Sequence, residues 1–241
     1  MIDVLVPVLG RPQNAALVVQ RFRQAATVPY RLVFLCTEED EDQIAACRET
    51  EGEVILVCGE HSQFPRKINV GFNATENLYV FVAADDIEPL PGWDTTALTI
   101  ALACGRGVIG TNDQSNKWNV NGHFSTHPLI RRSYVLEHGG SLDGPGIVFH
   151  EGYDHNYVDR ELCHLAQARN EWAFAVESRL IHHHPAWAKA PSTDATYAKG
   201  RRTFHADHEL FIVRAEQWGD VGLLPQELQW RKRTHRRRQR S

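Results

Sequence analysis

Short apolar runs alternate with amphipathic stretches over the first 110 residues. Residues 2–9, IDVLVPVL, form a β-rich apolar run, and in the RPQNAALVVQRFRQAA that follows, Ala15, Val18, Val19 and Phe22 recur at helical spacing. That pair predicts a strand and then a helix. YRLVFLC (30–36), EVILVC (53–58) and LYVFVAA (78–84) read as three further strands. Between them lie two helical segments, EEDEDQIAACRETEG, with acids in its first turn and Gly52 near its end, and FPRKINVGFNATEN. Such alternation predicts an α/β chain with a mainly parallel central sheet and helices on both faces.

After GVIGTNDQ (107–114) the alternation fades, and residues 115–150, rich in Asn, His, Gly and Ser, predict loops that shape a pocket. Periodicity returns in YVDRELCHLAQARN, where Val158, Leu162, Leu165 and Ala166 mark one helical face. EWAFAVESRLIHHHPAW then predicts a strand and a loop, and STDATYAKGRRTFHADHELFIVRAEQWG a last helix ending near Gly219. Repeats and linkers are absent, so residues 1–230 are expected to form a single domain with halves at 1–110 and 111–230.

Composition narrows the class. A chain of 241 residues with 42% apolar and 23% charged positions can bury one large core. Its apolar runs fall short of the roughly 20 residues of a membrane span, and MIDVLVPVLGRP lacks the marks of a signal peptide, which predicts a cytoplasmic protein. Five cysteines without a C-x-x-C pair read as reduced, mostly buried thiols. Charge is segregated: RKRTHRRRQR (231–240) holds seven of the 26 Lys and Arg, leaving 19 bases against 30 acids, a net of −11, in residues 1–230. This basic tail is expected to be disordered and to suit a phosphate-rich partner, or to be a solvated tail held against the acidic body.

Candidate chemistry gathers at five places. VFVAADDIEPLPGW sets Asp85 and Asp86 at the end of the fourth strand, where ligands of parallel sheets bind. Paired carboxylates there suit Mg²⁺ or Mn²⁺ bridging phosphates, or else an ordinary solvated turn. In FPRKINVGFN, Lys67 beside a helix N-terminus suits a pyrophosphate, and Asn69 and Gly71 allow close backbone approach, though Lys67 reads equally as a solvated helix residue. Asp159 shares a helical face with Leu162 and could reach a pocket as a base, or simply complement the helix dipole. In IHHHP (181–185), His182 and His184 fall on one side of an extended segment. HEGYDH (150–155) misses the H-E-x-x-H zinc pattern by one position; Asp154 within it is an alternative base, and a zinc-dependent hydrolase built from these histidines is the rival reading.

Three of these pieces together, PVLGRPQN (7–14), RKINVGFNAT (66–75) and AADDIEPLPGW (83–93), resemble the family 2 glycosyltransferases of the GT-A fold. The resemblance covers residues 2–110 and, more loosely, 130–190. It implies a metal-dependent, inverting transfer of a sugar from a nucleotide diphosphate, a UDP-sugar first among donors, to an acceptor hydroxyl, with Mn²⁺ or Mg²⁺ as cofactor. The family's D-x-D motif has Ala84 at its first acid here, so the resemblance implies that Asp86 holds the metal and Asp85 meets the ribose or a metal-bound water. YVDRELCHLA looks like the family's E-D-x-D/E-L segment, which implies Asp159 as general base with Glu161 in support, although Val158 replaces the expected preceding Glu. The late histidine that completes the metal site would be His184, with His182 the second candidate. For the nucleobase the resemblance points to Pro7, Val8 and Arg11 after the first strand and to Thr37 and Glu38 after the second, making 1–110 the nucleotide-sugar half. Residues 116–128 and 139–146 would line the acceptor side. With the basic tail, that region fits DNA carrying hydroxymethylated pyrimidines, as in viral DNA-modifying transferases, and fits a protein or glycan equally. A binding module that holds the nucleotide sugar without turnover is a third reading.

Overall fold

A computed structural model describes residues 1–58, 63–114, 116–185 and 195–217. One eight-stranded sheet runs through both halves of the chain, in the order β3-β2-β1-β4-β7-β6-β8-β5. Its first four strands are β1 (Ile2–Pro7), β2 (Tyr30–Thr37), β3 (Glu53–Val57) and β4 (Tyr79–Val82), all parallel. Side chains of β1 alternate between two cores because successive residues of a strand point to opposite faces. Ile2, Val4 and Val6 pack with Val18, Val19 and Phe22 of α1 (Ala15–Ala25), which a single 3-10 turn at Pro12–Asn14 introduces. On the same face lie α2 (Glu41–Arg48) and α4 (Trp93–Cys104). Leu5 instead joins Ile68 and Phe72 of α3 (Phe64–Ala74) on the other face.

The second half departs from the parallel pattern. β5 (Ile87–Pro89), β6 (Val108–Asp113), β7 (Leu129–Arg131) and β8 (Trp172–His182) complete the sheet. β7 is antiparallel to β4 and β6, β5 is antiparallel to β8, and β6 and β8 are parallel. Two expectations are corrected here. The turn-like DIEPLPGW contains β5, stabilised by pairing Ile87 with His182, and the supposed loops of 115–150 include α5 (Lys117–Val120), β7 and α6 (Arg132–His138). Elements of three to seven residues, as these are, span at most two helical turns and display a period poorly. Gly92, at φ +81°, supplies the left-handed turn before α4, and Trp93 then lies buried against Phe81 with ring centroids 4.3 Å apart.

α7 (Val158–Ala168) and α8 (Ala195–Ala215) cover the second face. Asp207 of α8 is 2% exposed and accepts hydrogen bonds from the backbone N–H groups of Asp154 (2.8 Å), His155 (3.1 Å) and Asn156 (2.8 Å). At its end, Arg214 forks onto both oxygens of the buried Glu161, at 2.8 and 2.7 Å. α8 therefore straps the 154–161 segment to the rest of the fold. Cys36, Cys47 and Cys163 are buried free thiols and Cys58 and Cys104 are exposed. Among the described residues, no helix is long and apolar enough to cross a membrane.

Asp207→Ala strips three backbone donors of their shared acceptor, and leaving such groups unpaired costs about 2–4 kcal/mol. Urea denaturation should show that loss; a variant as stable as the parent would remove Asp207 from this role.

Candidate active site

The carboxyl ends of β1, β4, β6 and β8 meet at one place, where buried carboxylates and cations alternate. β4 ends at Val82, and Asp85 and Asp86 follow in the short link to β5, 5% and 8% exposed. Arg11, in the loop after β1, donates from Nη1 to Asp85 Oδ1 at 3.0 Å, and Asn14 donates to Asp85 Oδ2 at 3.2 Å. Burial pushes the Asp85 carboxyl up from its ordinary pKa, with Arg11 opposing the rise. Asp86 differs. Burial would raise it as well, but His182 and the Tyr197 hydroxyl hold it well below the usual carboxylate range.

His182, at the end of β8, lies between two acids: Nδ1 is 3.0 Å from Asp113 Oδ2 and Nε2 is 3.4 Å from Asp86 Oδ2. Burial alone would lower its pKa; the two carboxylates override that and raise it to about 10. His184 is half-buried, its ring 5.4 Å from that of His182 and 4.8 Å from Tyr197, and burial together with the His182 charge lowers it to about 4. His183 turns away to the exposed Glu88, at 2.9 Å. His127 completes the cluster, buried 5.0 Å from the His182 ring, with Nδ1 3.2 Å from the Val82 carbonyl.

Pro7 closes β1, and Val8 follows it with its N–H on the Leu35 carbonyl at 3.2 Å. Thr37 and Glu38 stand at the carboxyl end of β2, Thr37 partly buried and Glu38 exposed. These residues share one end of the parallel strands with Arg11 and Asp85. Asp159 lies in the first turn of α7. α7 leads into β8 through the turn at 169–171, at the start of β8, so its first turn lies toward the carboxyl ends of the parallel β6 and β8. Tyr157, at the left-handed φ of 70°, turns the chain into α7, and Asp159 Oδ1 accepts the Arg160 N–H at 2.9 Å. Asp154 is held by the side chain of Gln63.

Three expected site residues serve the framework instead. Lys67 is 2% exposed, and its Nζ donates to the Val8 carbonyl at 2.5 Å, so it holds the loop after β1 and is not a solvated helix residue. Burial lowers its pKa to about 8. Asn69 brackets another loop: Oδ1 accepts the N–H groups of Val148 and Phe149, each at 3.0 Å, while Nδ2 donates to the Phe149 carbonyl at 2.8 Å and to Glu151 at 3.0 Å. Gly71 serves sheet packing, since a Cβ there would meet Leu35 at 2.8 Å. Glu161 is consumed by Arg214, the Tyr153 hydroxyl (2.9 Å) and the Leu142 N–H (3.1 Å), and so does not assist Asp159 directly. The HEGYDH side chains also disperse, His150 to Asp143, Glu151 to Arg66 and Asn69, and His155 against Phe64, so no hydrolytic zinc site assembles from them.

Sequence reasoning missed Asp113, His127 and Tyr197. Asp113 ends a strand, as Asp86 nearly does, and that position was its one available signal. His127 and Tyr197 lie in stretches without a motif.

Several solved structures share this architecture. A mannosyltransferase from Pyrobaculum calidifontis, in complex with GDP-Man and Mn²⁺, matches with a TM-score of 0.67 at 10% identity, over 91% of this chain and 65% of that one. TarS 1-349 of S. aureus, in complex with UDP-GlcNAc, matches with a TM-score of 0.62 at 12% identity, over 89% and 66%. Glucosyl-3-phosphoglycerate synthase of Mycobacterium tuberculosis, with Mn²⁺, UDP and glucosyl-3-phosphoglycerate, gives 0.57 at 11%, over 87% and 78%. The chain thus has the GT-A fold, and it spans about 65% of the length of the first two structures. No family model and no curated protein sequence matches it.

Whether these residues suit a divalent cation turns on the donor set. Among the described residues, no three His, Cys, Asp or Glu side chains close around one point. Mg²⁺ and Mn²⁺ keep waters and phosphate oxygens and need only one or two protein ligands. Among the described residues, the hydrogen bonds and ion pairs of the Asp86 carboxylate fall on Oδ2, from Tyr197 (2.7 Å), His182 (3.4 Å) and Arg11 (4.0 Å), and not on Oδ1. His184, held neutral, is the second suitable donor.

A histidine whose pKa rises on folding contributes stability that is complete below its unfolded value, near 6.5, and is lost as pH climbs through the folded value, here about 10. Metal-free protein should therefore lose stability between pH 7 and about 10, and His182→Gln should flatten that slope. Urea midpoints across the range check this; equal slopes in both proteins would show that His182 is not the group titrating.

Proposed function

We propose that the chain is a metal-dependent glycosyltransferase that moves a sugar from a nucleoside diphosphate to an acceptor hydroxyl. The observation that carries this reading is the differentiated pair after β4: Asp85 is tied to Arg11 and Asn14, whereas Asp86 keeps Oδ1 for a ligand among His182, His184 and Tyr197. Asp86 and His184 would hold Mn²⁺ or Mg²⁺, which when bound supplies positive charge to the departing diphosphate. Arg11 and Asn14 orient Asp85 for the donor's ribose. Pro7, Val8, Thr37 and Glu38 border the space for the base, with a UDP-sugar the first donor to test.

Asp159 is the base of this reading. An acceptor hydroxyl attacks the anomeric carbon better as its proton passes to a carboxylate, an effect of about 10²–10⁴-fold. Attack from the face opposite the nucleotide inverts the anomeric centre. For the acceptor, a hydroxyl on a phosphate-rich polymer such as hydroxymethylated DNA draws on the RKRTHRRRQR sequence, which lies outside the described residues. A DNA acceptor requires affinity that falls steeply with salt and with deletion of 231–241, and salt-insensitive binding would turn the reading to a protein or glycan.

Thermal shifts against a panel of nucleotide sugars with Mn²⁺ should single out one donor, since a ligand stabilises the state that binds it. With that donor, Asp86→Ala and Asp159→Asn should each lower transfer by at least about 100-fold, Asp159→Asn at unchanged melting temperature and Asp86→Ala when assayed below its own, lowered melting temperature, since it takes one carboxylate from His182. Full activity in either variant would sink the role assigned to it.

A further inference from the structure

We propose that Tyr197 is a positioning residue of the cation site, fixing which oxygen of Asp86 faces the ligand while holding Arg11 over Asp85. The inference rests on the reading of Asp86 as the metal ligand. One side chain touches three groups of the site. Its hydroxyl donates to Asp86 Oδ2 at 2.7 Å, the Arg11 guanidinium lies 3.9 Å from its ring centroid, and the His184 ring meets it at 4.8 Å and 77°.

Tyr197 comes from the first turn of α8, and that turn is fastened independently: the neighbouring Thr196 hydroxyl donates to the Leu9 carbonyl at 3.0 Å. The loop after β1, the link after β4 and the start of α8 thus meet at one phenol. A carboxylate with one oxygen committed to a hydroxyl cannot rotate freely, so it presents the other oxygen in a fixed direction. Stacking on Arg11 leaves the guanidinium edge free for Asp85, because cation and ring meet face to face. Partners of this kind, one bond removed from the cation, are worth about 10–100-fold in metal affinity.

The test is a Mn²⁺ titration of the full chain, followed by loss of the free-ion EPR signal, for wild type, Tyr197→Phe and Asp86→Ala. Phenylalanine keeps the ring against Arg11 and His184 and removes only the hydroxyl. Mn²⁺ binding in Tyr197→Phe should weaken about 10–100-fold with an unchanged metal-free melting temperature, and Asp86→Ala should abolish it. Binding by Tyr197→Phe that equals or exceeds wild type would overturn the positioning role while leaving Asp86 as the ligand. Equal uptake by wild type and Asp86→Ala would instead remove the reading of Asp86, and this inference with it.

Discussion

Three carboxylates, Asp85, Asp86 and Asp113, are buried together at one end of the sheet, and the site depends on how their charge is balanced. Isolated buried carboxylates would take up protons, and removing one partner from such a group leaves an uncompensated charge. Arg11 answers Asp85, and His182, protonated, lies between Asp86 and Asp113. Buried Lys67 adds a further positive charge that acts on Asp85 from the side of α3.

The balance is assembled from the whole chain. Arg11 follows β1, the two aspartates follow β4, Asp113 ends β6 and His182 ends β8. Strand register brings them together, because β8 pairs with β5 on one side and β6 on the other, setting His182 beside Ile87 and within reach of Asp113. α8 then closes the arrangement. Tyr197 at its start, Asp207 in its middle and Arg214 at its end fasten, respectively, Asp86, the 154–156 backbone and Glu161. Glu161 shows how such fastening changes a residue's meaning: a carboxylate two positions from a candidate base is spent in a buried ion pair.

Much of the α/β frame was legible along the chain. β1, β2 and β4 stood out as apolar runs, as strands buried on both faces do, and α1 to α3 carry enough residues for a period of 3.6 to emerge. The acidic pair was legible too, since it ends an apolar run and precedes a Pro-Gly-Trp turn. β5 and β7 were hidden, because three residues acquire strand character only from the partner they pair with. Lys67 and Asn69 had the chemistry of ligand contacts, yet their side chains point into the protein and hold its loops.

The sequence by itself determined the alternation of elements, the carboxylates at the end of a strand and the histidines of one extended segment, all of them consequences of local spacing. Only the tertiary structure decided which charges meet. Hydrogen bonds such as Tyr197 to Asp86 join residues 111 positions apart, and His182 to Asp113 spans 69, separations over which side-chain periodicity carries no information. Direction is likewise a tertiary property. A lysine or glutamate has the same chemistry facing a pocket or a core, and packing chooses between them.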